Sequence, residues 1–169
     1  MTGPFILYGL NILIYRESNS ILLVNIVIQK LCKMIFLTRR ERFSAAHRMF
    51  RADWSDEENK QVFGKCSNPN WHGHNYVLWV TIKGEPSPEQ GFVMNINILK
   101  QIILEKVVNK IDHKNINLEV DFMQGRLATT ENLAVAIWNE LESSVKKAGA
   151  FLHCIKIEET ENNSIEYYG

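Results

Sequence analysis

The sequence predicts an α+β domain with helices on one face of an antiparallel sheet. Three observations carry this. Residues 72–84 alternate, so that His72, His74, Tyr76, Leu78, Val80 and Ile82 share one face while Thr81 and Lys83 share the other. Two later segments repeat apolar residues at helical spacing: Leu99, Ile102, Ile103, Val107 and Ile111, then Leu133, Ile137, Trp138, Leu141 and Val145. FLHCIKIEET and NSIEYY close the chain as two strands across an Asn-rich turn.

Residues 1–36 stand apart as an extension, and residues 37–169 form the domain. MTGPFILYGLNILIY is uncharged and apolar, RESNS interrupts it, and ILLVNIVI follows. Neither run reaches the ~20 apolar residues of a membrane-spanning helix. There is no positive start for a signal peptide and too little arginine and serine for a transit peptide. The extension reads as dispensable and upstream of a start at Met34; the alternative is a membrane-surface anchor.

LTRRERFSAAH (37–47) reads as the first strand, with Phe43, Ala45 and His47 on one face. Residues 49–71 are charged and rich in Asn without periodicity, which predicts a long loop of the kind that carries function. GEPSPEQG is a turn. GFVMNI predicts a short strand leading into a helix over 98–111. The second helix runs over 130–147, with Thr129 or Thr130 as its N-cap.

Composition excludes several classes. Hydrophobic residues make up 46%, enough for one packed domain. Lysine plus arginine equals aspartate plus glutamate at 19 each, which leaves no basic footprint for nucleic acid. Cys32, Cys66 and Cys154 are an odd number with no disulfide framework, which fits a reducing, cytoplasmic setting.

Two of the five histidines flank one glycine in HGHNY. On a strand, His72 and His74 point the same way. His47 ends the strand that would pair with theirs, so three imidazoles converge. Three protein ligands with an open position is the pattern of a catalytic zinc. Cys66 is a fourth ligand, a buried structural cysteine or a reactive thiolate; the pattern leaves all three open. Asp112 and His113, adjacent in IDHKN, suit a pair that orients and polarises a catalytic group. Glu159 shares a face by alternation with Phe151, Ile155 and Ile157, where a carboxylate needs a partner. Glu131 opens the second helix and suits its dipole.

FSAAHR, SDEENKQVFGKC, HGHNY, GFVMNI, IDHKN, TTENLAVAIW and EETENN resemble, in that order, the 6-pyruvoyl-tetrahydropterin synthases, from about Leu37 to Gly169. The resemblance implies the tunnelling fold (T-fold), a four-stranded antiparallel sheet with two helices. Three subunits join their sheets into a barrel, and two trimers stack into a homohexamer. It implies zinc on His47, His72 and His74, with Cys66 as thiolate base. Asp112 and His113 would be a proton relay contributed by a neighbouring subunit. Glu159 and Glu131 would hold the pterin, with Thr129 and Thr130 lining its pocket.

The implied reaction converts 7,8-dihydroneopterin triphosphate to 6-pyruvoyl-tetrahydropterin, releasing triphosphate on the route to tetrahydrobiopterin. The similar 6-carboxytetrahydropterin synthases of the deazaguanine route, which also release acetaldehyde, are the alternative enzyme. A non-catalytic zinc-binding homologue is the alternative outside enzymes. Arg48, Lys65 and Lys114 are candidates for the triphosphate by charge and position. Trp71 stands where the family usually has glycine, and Asn117 where it usually has aspartate; neither change removes a predicted ligand or proton-transfer group.

Overall fold

A computed structural model describes residues 34–169. The apolar runs of the extension and Cys32 lie outside the described residues. The first strand, β1 (Ile35–His47), begins two residues before the predicted boundary. It pairs with β2 (His72–Gly84) in an unbroken antiparallel ladder from Ile35↔Gly84 to His47↔His72. The buried positions of β1 follow the predicted alternation at Phe43, Ala45 and His47.

The segment between them is not a plain loop. Helix α1 (Asp56–Phe63) and a 3₁₀ turn (Gly64–Ser67) occupy it. No apolar stripe marks α1; its signal is a capping box. Ser55 Oγ accepts from the Glu58 N–H, and Glu58 Oε2 accepts from the Ser55 N–H at 2.8 Å. Three acidic residues in the first turn favour the positive end of the helix dipole.

GFVMNI forms no strand. Asn95 caps α2 (Ile96–Ile103), its side chain accepting from the Asn97 N–H. The chain continues through a π-helical segment (Leu104–Val108) into α3 (Asn109–Ile111). The stripe Leu99, Ile103, Val107, Ile111 explains the wide turn. Each four-residue step overshoots an α-helical turn by about 40°. A π turn absorbs that drift and keeps all four side chains buried.

After α3 come β3 (Lys114–Asn115), α4 (Ile116–Glu119) and a 3₁₀ turn (Asp121–Met123). Helix α5 (Thr130–Lys147) follows, then β4 (Phe151–Thr160) and β5 (Asn163–Tyr167). The sheet order is β3-β1-β2-β4-β5. The four long strands are antiparallel as expected, but β3 adds a two-residue parallel edge beside β1, so the sheet is five-stranded and mixed. β3 was illegible because two residues show no alternation.

The buried faces of α2, α3 and α5 join Phe43, Tyr76, Leu78, Val80, Ile82, Ile155 and Ile157 in one core. Phe151 departs from the predicted face. Thr81 pairs with Cys154 but Ile82 with Leu152, so His153 is an extra residue in β4. That bulge turns Leu152 inward and leaves Phe151 56% exposed. Among the described residues, no helix is long and apolar enough to cross a membrane.

Candidate metal centre and its cavity

The β1–β2 register builds the site. His47 lies opposite His72, and His74 lies opposite Ala45. The ring centroids are 4.4 Å apart for His47–His72, 5.2 Å for His47–His74 and 5.1 Å for His72–His74. One nitrogen from each lies within 4.8 Å of the others. Gly73, between two of them, lies close to the neighbouring strand: an added Cβ would come 3.1 Å from the Ala45 carbonyl oxygen.

The hydrogen bonds fit a cation among these rings. His47 Nδ1–H donates to the Ala128 carbonyl at 2.8 Å, which leaves Nε2 as the lone-pair nitrogen. Among the described residues, His47 Nε2 and both His72 ring nitrogens are buried without a hydrogen-bond partner. Buried polar atoms are seldom left so. Burial lowers the His47 pKa, against the Ala128 bond that raises it, and burial also lowers that of His72. Both therefore favour the neutral form a metal ligand requires. The three histidines could hold a metal ion.

Cys66 opens onto the same cavity. The cavity is about 880 Å³, and Cys66, His72, His74, Arg48, Lys60 and Lys65 all line it. The Met49 N–H donates to the Cys66 carbonyl at 2.8 Å, tying the 3₁₀ turn to the chain just beyond β1. Arg48 is fixed from two sides: its Nε donates to the Ser67 carbonyl at 2.6 Å, and its guanidinium lies 4.4 Å from the centre of the Phe50 ring. Burial, and next the charge of Glu159, push the Cys66 thiol up.

Glu159 reaches the histidines through a second bulge. Glu158 pairs with Ser164 and Thr160 with Asn163, leaving Glu159 unpaired between them. Its Oε1 accepts from the buried Thr130 hydroxyl at 2.8 Å and lies 3.7 Å from His47 Nε2 and 4.0 Å from His74 Nε2. Thr129 is the N-cap of α5, accepting from the Asn132 N–H, and Glu131 is exposed on its first turn.

Asp112 and His113 pair with each other but do not share the Cys66 cavity. The Ser44 N–H donates to Asp112 Oδ1 at 2.8 Å, and His113 Nδ1 lies 2.9 Å from Asp112 Oδ2. The Ser44 bond, and more weakly His113, hold the Asp112 carboxyl below the usual range despite some desolvation. The His113 side chain is 81% exposed. The pair lines a groove with Ser44, Asn75 and Glu159; a second groove brings His113 beside His74 and Lys114. Lys114 is thus on a different surface from Arg48 and Lys65.

Trp71 sits at φ 65°, which explains why glycine is favoured there. Its ring meets Phe50 edge-on at 6.4 Å and is not among the residues lining the Cys66 cavity. Two members of the site were not singled out from sequence. Lys60 rides on the unforeseen α1. Tyr76 shares the face of His72 and His74, and its alternation with them was the available signal.

Fold and site together define a small α+β protein in which three imidazoles that could hold a metal ion stand near a cysteine. The family profile described as 6-pyruvoyl tetrahydropterin synthase matches residues 36–169, and the chain belongs to that family. The 6-pyruvoyl tetrahydrobiopterin synthase of Dictyostelium discoideum is 49% identical over 137 residues, covering 81% of this chain and 98% of the relative. The human protein of the same name is 45% identical, covering 79% of this chain and 90% of its own. The solved structure of Caenorhabditis elegans 6-pyruvoyl tetrahydropterin synthase matches with a TM-score of 0.75 at 38% identity, covering 80% and 96% of the two chains.

Proposed function

We propose that this chain is a zinc-dependent lyase that converts 7,8-dihydroneopterin triphosphate to 6-pyruvoyl-tetrahydropterin, eliminating triphosphate. The observation that carries the reading is the cavity itself. His72 and His74 line it with Cys66 and a rim of Arg48, Lys60 and Lys65, and the buried His47 brings a ring nitrogen within 4.8 Å of theirs. Zinc held by His47, His72 and His74 would supply a Lewis acid for the side-chain oxygens of the substrate and a positive charge that opposes the upward push on the Cys66 thiol.

Cys66 is the base that takes a carbon-bound proton. Asp112 and His113 pass protons, and their distance from the Cys66 cavity within one chain supports a relay donated by a neighbouring subunit. Glu159 accepts two hydrogen bonds from the amino-pyrimidine edge of the pterin, with Thr130 steadying the carboxylate. Glu131 and Thr129, at the N-terminus of α5, complete that pocket. Arg48 and Lys65 face the triphosphate; Lys114, on the other surface, does not. The assembly is a homohexamer of two stacked trimers with shared sites, in the cytoplasm. Residues 1–36 lie outside the catalytic domain of residues 37–169.

Cys66→Ala separates the enzyme from a zinc-bound structural protein. The lyase reading expects full zinc content and a loss of turnover of 7,8-dihydroneopterin triphosphate by at least about 10²-fold. Unchanged turnover in that variant contradicts it.

A further inference from the structure

Helix α1 places two opposite charges on the wall of the Cys66 cavity. Asp56 and Lys60 lie one turn apart, so both project from the same side of the helix, and both line the cavity with Arg48 and Lys65. The backbone beneath them is held by the Ser55–Glu58 capping box and by the buried Asn59, whose amide bonds both backbone groups of Arg51. A lysine near the end of a helix suits the dipole wherever it points. Lys60 is set apart by the cavity it lines and by the partner it lacks.

Asp56 has the spacing to pair with Lys60, but its carboxylate lies 3.6 Å from a terminal nitrogen of Arg48 instead. Among the described residues, neither Lys60 nor Lys65 pairs with a carboxylate. Arg48 is the deep member, its side chain 14% exposed against 84% for Asp56. The Ser67 carbonyl takes its Nε–H and the Phe50 ring backs its guanidinium, which leaves the terminal nitrogens for the cavity. The Asp56 contact is longer than a hydrogen bond and open to water, so an anion can displace it. Three cations and one displaceable carboxylate suit a ligand with several negative charges along a chain of phosphates.

Resting on the function proposed above, we propose that Lys60 is a third cation on the triphosphate and that Asp56 is the counter-charge that holds Arg48 until the triphosphate takes its place. The two residues set affinity in opposite directions. Lys60 adds an ammonium to phosphate oxygens that Arg48 grips with its rigid fork. Asp56 repels the same oxygens, so it weakens the hold on triphosphate and favours its departure once the ester bond to the pterin side chain has broken. Neither group gains or loses a proton, and neither touches the pterin ring.

Lys60→Ala and Asp56→Asn are compared with wild type as zinc-loaded, full-length protein. Calorimetry measures affinity for two probes, inorganic triphosphate and the phosphate-free 7,8-dihydroneopterin, with metal content recorded on the same samples. Lys60→Ala should weaken inorganic triphosphate about fivefold, and Asp56→Asn should tighten it about threefold. Both shifts should fade at about 1 M salt, where the screening length is about 3 Å. Affinity for 7,8-dihydroneopterin and metal content should not move. In turnover, KM for the triphosphate substrate should rise in Lys60→Ala, with kcat within about twofold of wild type, and should fall in Asp56→Asn. A loosened cavity wall would weaken triphosphate in both variants, so shifts of the same sign overturn the inference, as do equal shifts for both probes or no shift at all. An inactive wild type whose variants still shift in opposite directions overturns the lyase reading and leaves the anion subsite standing. Turnover by a wild type that does not bind inorganic triphosphate overturns this inference alone.

Discussion

Truncating Asn59 to alanine should loosen the wall that carries Cys66 while leaving the histidines in place. Asn59 is 2% exposed on α1, and its amide clamps the segment before the helix. Oδ1 accepts from the Arg51 N–H at 2.7 Å, and Nδ2 donates to the Arg51 carbonyl at 2.9 Å and to that of Ser55 at 3.0 Å. The Ser55 carbonyl keeps a second donor in the Asn59 N–H, so the two bonds to Arg51 are the real loss. At about 1 kcal/mol each, plus a residue of unsatisfied backbone, the cost is about 2–3 kcal/mol. If it falls on local opening, exchange of amides over residues 51–67 should accelerate roughly 30- to 140-fold. Native-state hydrogen exchange reads this directly. Amides of β1 and β2 should keep their protection, metal content should be unchanged, and turnover should fall because Cys66 is less well held. Unchanged exchange over 51–67, or loss of metal along with it, would refute the reasoning.

His74→Ala should lose bound zinc and activity together, by metal analysis and turnover of the same preparation; full zinc occupancy would contradict the three-histidine site. In metal-free protein, Cys66 should be alkylated more slowly than free cysteine at pH 7. Burial and Glu159 raise its pKa, so less thiolate is present, and the midpoint of the pH–rate profile should lie above the ordinary thiol range. Zinc should move that midpoint down, and peptide mass spectrometry distinguishes Cys66 from the other cysteines; a metal-free midpoint at or below the ordinary range would contradict this. Mixed assembly of Cys66→Ala with His113→Ala subunits should restore up to about a quarter of wild-type activity, the chance that a shared site draws both halves intact. No recovery would place thiol and relay in one chain.

How much was legible depended on how many residues carried each signal. The β1–β2 face and the α5 stripe were readable because burial repeats along each element, and the convergence of His47 with His72 and His74 followed from pairing those strands. Helix α1 was missed because its evidence is polar: a Ser55–Glu58 box on a helix with one buried residue, Asn59. The bulges at His153 and Glu159 are set by pairing with other strands, so simple alternation put Phe151 on the wrong face. Alternation did bring Glu159 toward the interior, but not its hydrogen bond from Thr130, which joins residues 29 positions apart. The separation of Lys114 from Arg48 and Lys65 is likewise a property of the folded surface; charge alone had grouped them.

The most direct test of the account is the product of the reaction. The purified, zinc-loaded protein is incubated with 7,8-dihydroneopterin triphosphate, the pterin product is identified, and triphosphate and acetaldehyde are measured. The account predicts triphosphate with 6-pyruvoyl-tetrahydropterin and no acetaldehyde. Triphosphate with acetaldehyde would move the chain to the carboxypterin branch, and no turnover with zinc bound would contradict the enzyme assignment.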